Sequence, residues 1–249
     1  MKICFVITSA IDIDGDMALK DNTLHGTNAM MRSVFTPNER FEQTMHTILN
    51  IAKFQPDATM FVVDVGRSTP IELTFFRNVE VVKLDEETKT ICQTHESKGY
   101  CESKLMAAFL TKYADRLREY DYIVKMSGRY EFTKFDASVL TEENLDKFLV
   151  KRFWEWDWSD SWGAPAELND NGKYRWAPTV TYAIGRYALV KFCEDMKAMP
   201  TRYENSYALY KTIDYEPLFY LYVVRGHKLV TVDWRCAGLG ASTGEHIEV

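Results

Sequence analysis

The sequence has no apolar run that approaches the roughly 20 residues needed to span a membrane. Its apolar N-terminal stretch, MKICFVITSA, is followed directly by IDIDGD. Neither a longer apolar region nor a small-residue cleavage site is present there, so we interpret the stretch as a first strand and not as a signal peptide. These absences predict a cytoplasmic protein without a transmembrane segment.

Paired cysteines and clustered basic residues are missing as well. The five cysteines form no C-x-x-C pair, and their odd number favours free thiols in a reducing cytoplasm. The formal net charge is −6, and no basic run exceeds two residues. Binding to nucleic acid is therefore disfavoured, because it depends on clustered cations that neutralise phosphates. A few converging Arg and Lys side chains would still suffice for a small anionic ligand.

The motifs of several enzyme classes are absent too. The chain has no G-x-S-x-G elbow and no cysteine with a nucleophile signature, which argues against a nucleophilic hydrolase. Neither a G-x-x-x-x-G-K-[ST] loop nor a G-x-G-x-x-G loop follows the first strand, so an ATPase or a dehydrogenase is disfavoured. Four histidines show no metal-ligand spacing and are predicted to be structural or exposed: His25, His46, His95 and His227.

The order of the predicted elements indicates an α/β fold. Apolar runs predict strands at residues 2–8, 59–65, 79–84 and 122–126, and helical periodicity predicts helices at about 37–54 and 101–118. This alternation is typical of a mostly parallel central sheet flanked by helices. In such sheets ligands bind at the carboxyl ends of the strands.

The second half of the chain is less regular. It contains an aromatic loop at 153–176, strands at 179–184 and 229–233, and helices at 187–196 and about 213–225. No repeat, low-complexity tract or Pro/Gly-rich linker divides the sequence. We therefore expect a single domain over residues 1–249.

The predicted strand at 122–126 ends in the sequence KMSGRY. Gly128 allows the backbone to turn closely around a ligand, and Lys125 and Arg129 supply two nearby cations. Cations and free backbone N–H groups at a strand end suit a diphosphate. An ordinary turn with solvated charges explains the same spacing equally well.

Three motifs in order carry a family resemblance: E-R-x-x-Q-T at 39–44, K-G-x-x-E-S at 98–103, and YDYIVKMSGRY at 120–130. Together they resemble viral and bacterial glycosyltransferases of the GT-A class, which make capsular or lipopolysaccharide chains or glycosylate viral coat proteins. The resemblance implies a GT-A-like (Rossmann-like) fold and a hexosyl- or pentosyltransferase of polysaccharide biosynthesis. Its substrates would be a nucleotide-diphosphate sugar donor and a hydroxyl of a glycan acceptor. Residues 1–130 would form the nucleotide-sugar half, and residues 131–249 the acceptor half and tail.

The resemblance also implies a set of donor contacts. Strand-end residues would meet the base and ribose, cations would meet the diphosphate, and the Gly-rich tail would fold back over the donor. The residues concerned are Thr8, Ser9, Arg40, Asp64, Lys98, Lys125, Gly128, Arg129 and His246. For the tail, a disordered terminus is an equal alternative.

The wider GT-A class holds a divalent metal with an Asp-x-Asp motif after the strand that follows the long helix. The corresponding residues 126–129 contain no carboxylate. We therefore expect Arg129, with Lys125 or Lys98, to neutralise the diphosphate in place of a metal, and we predict no metal ligands or certain cofactor. A Mn²⁺ or Mg²⁺ ion is the alternative.

Two acidic runs offer possible ligands for such an ion. The first, IDIDGD, does not fit a calcium loop, because Met17 stands where Gly is required and no Glu follows six residues later. The second, at 157–160, is better suited to sugar hydroxyls.

The aromatic stretch FWEWDWSDSW alternates tryptophans with polar residues. As an acceptor site, its indole faces would stack on sugars while carboxylates bind hydroxyl groups. The residues assigned to this role are Trp154, Trp156, Asp157 and Trp158. The same alternation fits a strand that buries a tryptophan face.

A catalytic base is implied by comparison with inverting GT-A enzymes, where an acidic residue near the start of a late helix deprotonates the acceptor hydroxyl. Glu216, and after it Asp214, match that position in the sequence TIDYEPLFY. Helix capping by Asp214, with Glu216 in the first turn, is the alternative explanation.

Two other functions fit the same sequence less well. A catalytically inactive carbohydrate- or nucleotide-sugar-binding protein would explain the missing Asp-x-Asp. A nucleotidyltransferase shares the sheet topology, but it normally needs acidic metal ligands and a Gly-rich loop after the first strand.

Overall fold

The structure is a computed structural model that describes residues 1–13, 18–19, 30–31, 34–95, 97–157, 166–205, 215–240 and 244–249. Of residues 18–19 and 30–31 only the backbone is described. The helices are α1 (Pro37–Phe54), α2 (Glu86–Thr94), α3 (Lys98–Leu117), α4 (Leu189–Asn205) and α5 (Tyr215–Tyr222). None of these described helices is long and apolar enough to cross a membrane.

The strands follow the same chain order. They are β1 (Ile3–Ser9), β2 (Ala18–Leu19), β3 (Met30–Met31), β4 (Thr59–Asp64), β5 (Val79–Val82), β6 (Tyr122–Ser127), β7 (Tyr130–Lys134), β8 (Phe148–Val150), β9 (Trp154–Asp157), β10 (Lys173–Trp176), β11 (Thr181–Gly185), β12 (Leu229–Thr231), β13 (Arg235–Leu239) and β14 (His246–Glu248).

Seven of these strands form the central sheet, in the order β12-β8-β11-β6-β1-β4-β5. Strand β1 lies between β4 and β6 and is parallel to both. The pairs β4–β5 and β8–β12 are also parallel, and only β11 runs antiparallel to its neighbours in this sheet. The predicted α/β class, with a mostly parallel sheet flanked by helices, is confirmed.

Helix α1 begins and ends where the sequence predicts. The Thr36 side chain accepts a hydrogen bond from the Glu39 backbone, the Glu39 carboxylate accepts one from the Thr36 backbone, and Pro37 opens the helix. This reciprocal cap satisfies backbone donors that the first turn leaves unpaired. The first half of the E-R-x-x-Q-T motif is therefore a helix start.

Helix α2 was not predicted from the sequence. Asp85 caps it by accepting from the Thr88 backbone, but Cys92 is its one buried residue. This helix has nine residues, and its apolar side chains are Ile91 and Cys92, so it is too short to show a repeated apolar period. Helix α2 is stabilised by its packing against α3.

The aromatic segment, predicted as a loop, and the Gly-rich tail both contain strands. Strands β9 and β10 form a separate two-stranded ribbon, and β13 pairs with β7 and β14. These short strands depend on distant partners, which local sequence patterns do not reveal.

The core lies on both faces of the central sheet. One cluster packs α3, α4 and α5 against the sheet around Phe109, Phe148 and Phe219, and a second packs α1 and β7 against the other face around Phe5 and Trp234. The helices thus cover the sheet and leave its carboxyl edge for a cleft.

Candidate active site

A cleft opens at the carboxyl ends of β1, β4 and β6. Thr8 and Ser9 from β1, Val65 after β4, and Ser127 and Arg129 at the end of β6 line one side. The first turns of α1 and α3 line the other sides. Its volume is about 760 Å³, open solvent at its mouth included.

The E-R-x-x-Q-T motif builds the wall of the cleft formed by α1. Buried Arg40 donates to the Ala10 carbonyl, just after β1. The Thr44 hydroxyl lies 2.9 Å from the Ser9 hydroxyl and donates to the Gly128 carbonyl at 3.3 Å. Because both side chains bridge to strand ends, the motif fixes the helix against the cleft. Thr44 was not selected from the sequence, although the motif contained it.

Gly128 is required by the close approach of two strand ends. Its N–H donates to the Thr8 carbonyl at 2.8 Å, and a Cβ at this position would lie 3.1 Å from the same oxygen. This distance leaves little room for a side chain. The glycine predicted to contact a ligand therefore shapes the floor between β1 and β6.

Arg129 is a partly buried cation that lines the cleft. Its guanidinium donates to the Leu239 carbonyl at 2.9 Å and lies over the Tyr130 ring. Burial lowers the pKa of this side chain from its ordinary value. Across the described residues, no carboxylate comes within 4.0 Å of the guanidinium. Its charge is thus available to an anion in the cleft.

Lys98 adds a second cation from the first turn of α3. The dipole of α3 favours negative charge near this turn. Gly99, next in sequence, packs against α5, and a Cβ there would lie 2.5 Å from the Tyr215 Cβ. The glycine of the K-G-x-x-E-S motif therefore allows α5 to approach the cleft.

Lys125 does not line the cleft, although it was assigned to the donor. Its ammonium group is buried and donates to Glu102 Oε1 at 2.5 Å and to the Thr179 carbonyl at 2.6 Å. Glu102 is the residue that faces the cleft. Glu102 was not selected from the sequence, although it is the glutamate of the K-G-x-x-E-S motif and could have been found there.

Glu216 stands in the first turn of α5 and is connected to this pair. Its carboxylate accepts from the Thr179 hydroxyl at 3.1 Å, and the carbonyl of the same threonine holds Lys125. A chain of contacts therefore joins Glu102, Lys125, Thr179 and Glu216. The second candidate base, Asp214, lies outside the described residues.

Asp64, assigned to the ribose, is buried beside the cleft. Its two oxygens accept from the Ile11 N–H and the Thr69 hydroxyl, each at 2.9 Å. Burial raises the pKa of this carboxyl group. Its visible role is to join the loops that follow β1 and β4.

The β9–β10 ribbon presents one aromatic and one charged face. Trp154 and Trp156 are 44% and 43% exposed. The alternative prediction, a strand with a buried tryptophan face, is therefore wrong for these two residues. The Trp176 ring centroid lies 5.6 Å from that of Trp156 and 6.2 Å from that of Trp154. On the other face, Asp157 pairs with Lys173 at 2.6 Å. Trp158 lies outside the described residues.

A buried polar cluster anchors the ribbon to α5. Arg175 of β10 donates to the Tyr220 hydroxyl at 2.8 Å and pairs with the buried carboxylate of Asp170. Tyr220 donates to the same carboxylate at 2.7 Å. The aromatic face is thus fixed relative to the helix that carries Glu216.

The tail contacts Arg129 through β13. Gly238 packs so closely on β7 that a Cβ would lie 2.3 Å from the Arg129 carbonyl, and Leu239 accepts from the Arg129 side chain. His246 pairs with Leu239 in the β13–β14 ladder and is exposed. The tail therefore positions Arg129, while His246 lies on the outer strand of this hairpin.

Of the acidic runs at 11–16 and 157–160, the structure describes residues 11–13 and 157. Asp12 accepts from the Ser68 hydroxyl at 2.8 Å, and Asp14 and Asp16 lie outside the described residues. Within the described ranges, no group of three or more His, Cys, Asp or Glu side chains is placed to hold a metal ion.

No protein-family model and no curated protein sequence matches this chain. Solved structures with a similar fold include the galactosyltransferase LgtC in complex with donor and acceptor sugar analogues. It is 12% identical with a TM-score of 0.46, over 92% of this chain and 73% of LgtC. A glycosyltransferase involved in glycosylation of the major capsid of PBCV-1 is 10% identical with a TM-score of 0.44, over 94% of this chain and 83% of its own.

A synthetase is also among these structures. CMP:2-keto-3-deoxy-manno-octonic acid synthetase, complexed with CTP, is 13% identical with a TM-score of 0.42, over 93% of this chain and 89% of its own. At such low identities the similarity concerns the fold alone.

Proposed function

We propose that the protein is a glycosyltransferase that moves a sugar from a nucleotide-diphosphate sugar to a hydroxyl group of a glycan acceptor. The observation that carries this proposal is the convergence of Arg40, Lys98 and Arg129 on a cleft at the carboxyl edge of parallel strands. Converging cations and a helix N-terminus are suited to a diphosphate. The ordered motifs described above support the same activity.

In this proposal the donor occupies the cleft. Thr8 and Ser9 meet the nucleoside at the end of β1, and Arg129 and Lys98 meet the diphosphate. All described residues that line the cleft lie between positions 8 and 129, as expected if residues 1–130 form the donor side of one domain. Lys125 and Asp64 act indirectly, because their polar groups hold other parts of the wall.

We further propose that transfer does not require a metal ion. Arg129 occupies the position where the GT-A class carries metal-binding carboxylates, and its guanidinium is available to an anion. A fixed cation there would stabilise the charge that develops on the leaving diphosphate.

The proposed reaction is a single displacement that inverts the anomeric centre. Glu216, with Asp214 as second candidate, accepts the proton of the acceptor hydroxyl. The acceptor oxygen then bonds to the anomeric carbon while the bond to the diphosphate oxygen breaks, and the nucleotide diphosphate leaves with the electron pair. The first-turn position of Glu216 and its contact with Thr179 support this role.

The aromatic ribbon is the proposed acceptor platform. Trp154 and Trp156 would stack on sugar rings, and Asp157 and Trp158 would complete the contacts. The anchor between Arg175 and Tyr220 supports the assignment, because it ties this surface to α5. His246 is proposed to contact the donor from the tail. We place the activity in polysaccharide biosynthesis in the cytoplasm, where five free thiols are stable.

A donor panel tests the proposal. The protein is titrated with UDP-, GDP-, CDP- and TDP-sugars, with and without EDTA, and binding and donor hydrolysis are measured. We expect one nucleotide series to bind, with slow hydrolysis that EDTA does not abolish. Absence of all binding would overturn the transferase proposal. Loss of hydrolysis in EDTA would overturn only the metal-independent mechanism, and binding without hydrolysis or transfer would favour an inactive sugar-nucleotide-binding protein.

A further inference from the structure

Glu102 is a carboxylate inside a cleft that is otherwise arranged for anions. It lies one turn after Lys98 on α3, and its side chain is 28% exposed at the cleft. One oxygen accepts from Lys125 at 2.5 Å. The other oxygen has no hydrogen-bond partner within the part of the chain that the structure describes. A cleft-facing acceptor atom is therefore available.

Lys125 holds this carboxylate in place. The ammonium group is buried, and a buried charge needs an opposite charge close by. Glu102 supplies it, while the Thr179 carbonyl at 2.6 Å and the Tyr182 ring at 6.0 Å complete the surroundings. An ionised carboxylate only accepts hydrogen bonds. The atom facing the cleft is thus a fixed anionic acceptor.

Such an acceptor cannot contact a phosphate, because two anions repel each other. It needs donors, and the donor groups of a nucleotide sugar that lie beyond the diphosphate are sugar hydroxyls. Glu102 and Arg129 border the same space. In this arrangement the diphosphate would contact Arg129, and the sugar would contact Glu102.

Resting on the proposed function, we infer that Glu102 binds hydroxyl groups of the donor sugar, and that the site takes neutral sugars and discriminates against acidic ones. A uronic acid brings a second carboxylate into the space that Glu102 borders. Two carboxylates that share this space repel each other. Glu102 is thus assigned as a determinant of sugar specificity.

The test compares matched donors. Dissociation constants are measured by calorimetry for UDP, UDP-glucose, UDP-glucuronic acid, UDP-galactose and UDP-galacturonic acid, or for GDP, GDP-mannose and GDP-mannuronic acid if the guanine series binds. We expect the native protein to bind the preferred neutral sugar about tenfold or more tightly than its uronate, since hydrogen bonds to charged groups have this strength. In Glu102→Gln the ratio of the two dissociation constants, uronate over neutral sugar, should fall to about threefold or less. The affinity for the free nucleotide diphosphate should equal or exceed that of the native protein.

Two further variants make the result decisive. Glu102→Gln leaves Lys125 buried without a counter-charge, so the double variant Glu102→Gln/Lys125→Met serves if the single one is unstable. Asp115→Asn removes a charge from the exposed far end of α3 and should leave the ratio unchanged. An unchanged ratio in Glu102→Gln, or equal binding of neutral and acidic sugars by the native protein, overturns the inference while the proposed function stands. Failure of every nucleotide to bind overturns both.

Discussion

At the scale of single residues, Arg129 is the side chain on which the proposed donor site depends most directly. Replacing it with Ala should weaken binding of the nucleotide diphosphate by about 10- to 100-fold, since charge-assisted hydrogen bonds are lost. Calorimetry with the nucleotide identified in the panel measures this change. Arg235→Ala, an exposed arginine on β13, is the matched control. Normal affinity in Arg129→Ala would remove the residue from the diphosphate site.

Glu216 makes a second prediction at this scale. Glu216→Gln keeps the shape of the side chain but cannot remove a proton, so kcat should fall by about 10²- to 10⁴-fold. Donor affinity should stay within twofold of native, as a rough limit for a group that acts only on the acceptor. Asp214→Asn is measured beside it. A larger loss in Asp214→Asn than in Glu216→Gln would transfer the role of base to Asp214.

The pKa of a buried histidine gives a pH-dependent prediction. Burial lowers the pKa of His227 below its ordinary value of 6.5, with Lys191 adding to the effect and Asp195 opposing it. The unfolded chain therefore binds a proton that the folded chain excludes as pH falls below 6.5, and stability must decrease.

The slope of that decrease should be at most about 1.4 kcal/mol per pH unit for one proton. Urea unfolding between pH 8 and 5 measures it. His227→Gln should flatten the curve in this range, and the exposed His46→Gln should not. Equal slopes in the native protein and His227→Gln would contradict the assignment.

At the scale of elements, the ribbon of β9 and β10 predicts an effect on the acceptor alone. Trp154→Ala and Trp156→Ala should each raise the acceptor KM by about two- to tenfold, as expected for loss of an aromatic contact. Both side chains are exposed, so donor affinity and the melting temperature should stay unchanged. Tyr187→Ala, 67% exposed elsewhere on the surface, controls for the loss of any aromatic group. An equal effect of Tyr187→Ala would argue against a specific platform.

The contact between α3 and α5 predicts whether Gly99→Ala raises or lowers the stability of the protein. In an unobstructed helix, Gly→Ala stabilises by about 1 kcal/mol. Gly99→Ala should instead destabilise by about 1–3 kcal/mol, because its Cβ would press on Tyr215 and displace α5. Thermal unfolding gives the sign, and a lowered kcat at saturating donor would report the displaced Glu216. A rise in melting temperature would show that the helices separate easily.

Elements with a local signal could be predicted from the sequence, and those without one could not. Helix α1 carries its own cap and apolar period, and β1, β4 and β6 are continuous apolar runs, so their approximate bounds followed directly. Helix α2 buries one residue, and β13 is defined by its pairing with β7. Their positions are consequences of tertiary structure.

The same distinction holds for the site. Thr8, Ser9, Arg40, Lys98 and Arg129 are brought to one cleft because each stands at a strand end or helix start. Lys125 sits on a strand as expected, yet its ammonium group points to Glu102 and Thr179. The direction of a side chain at a strand end depends on the neighbouring elements, which for Lys125 are α3 and the segment before β11. The local sequence pattern does not reveal this direction.

At the scale of the whole molecule, the contacts from Glu102 through Lys125 and Thr179 to Glu216 run from the cleft to the first turn of α5. In the proposed transferase this path gives the two substrates a physical means of thermodynamic coupling. Reciprocity is then unavoidable: whatever factor a bound donor adds to acceptor affinity, a bound acceptor must add to donor affinity. Removing the Thr179 hydroxyl would reduce both factors together, and the two substrates would bind as independent ligands.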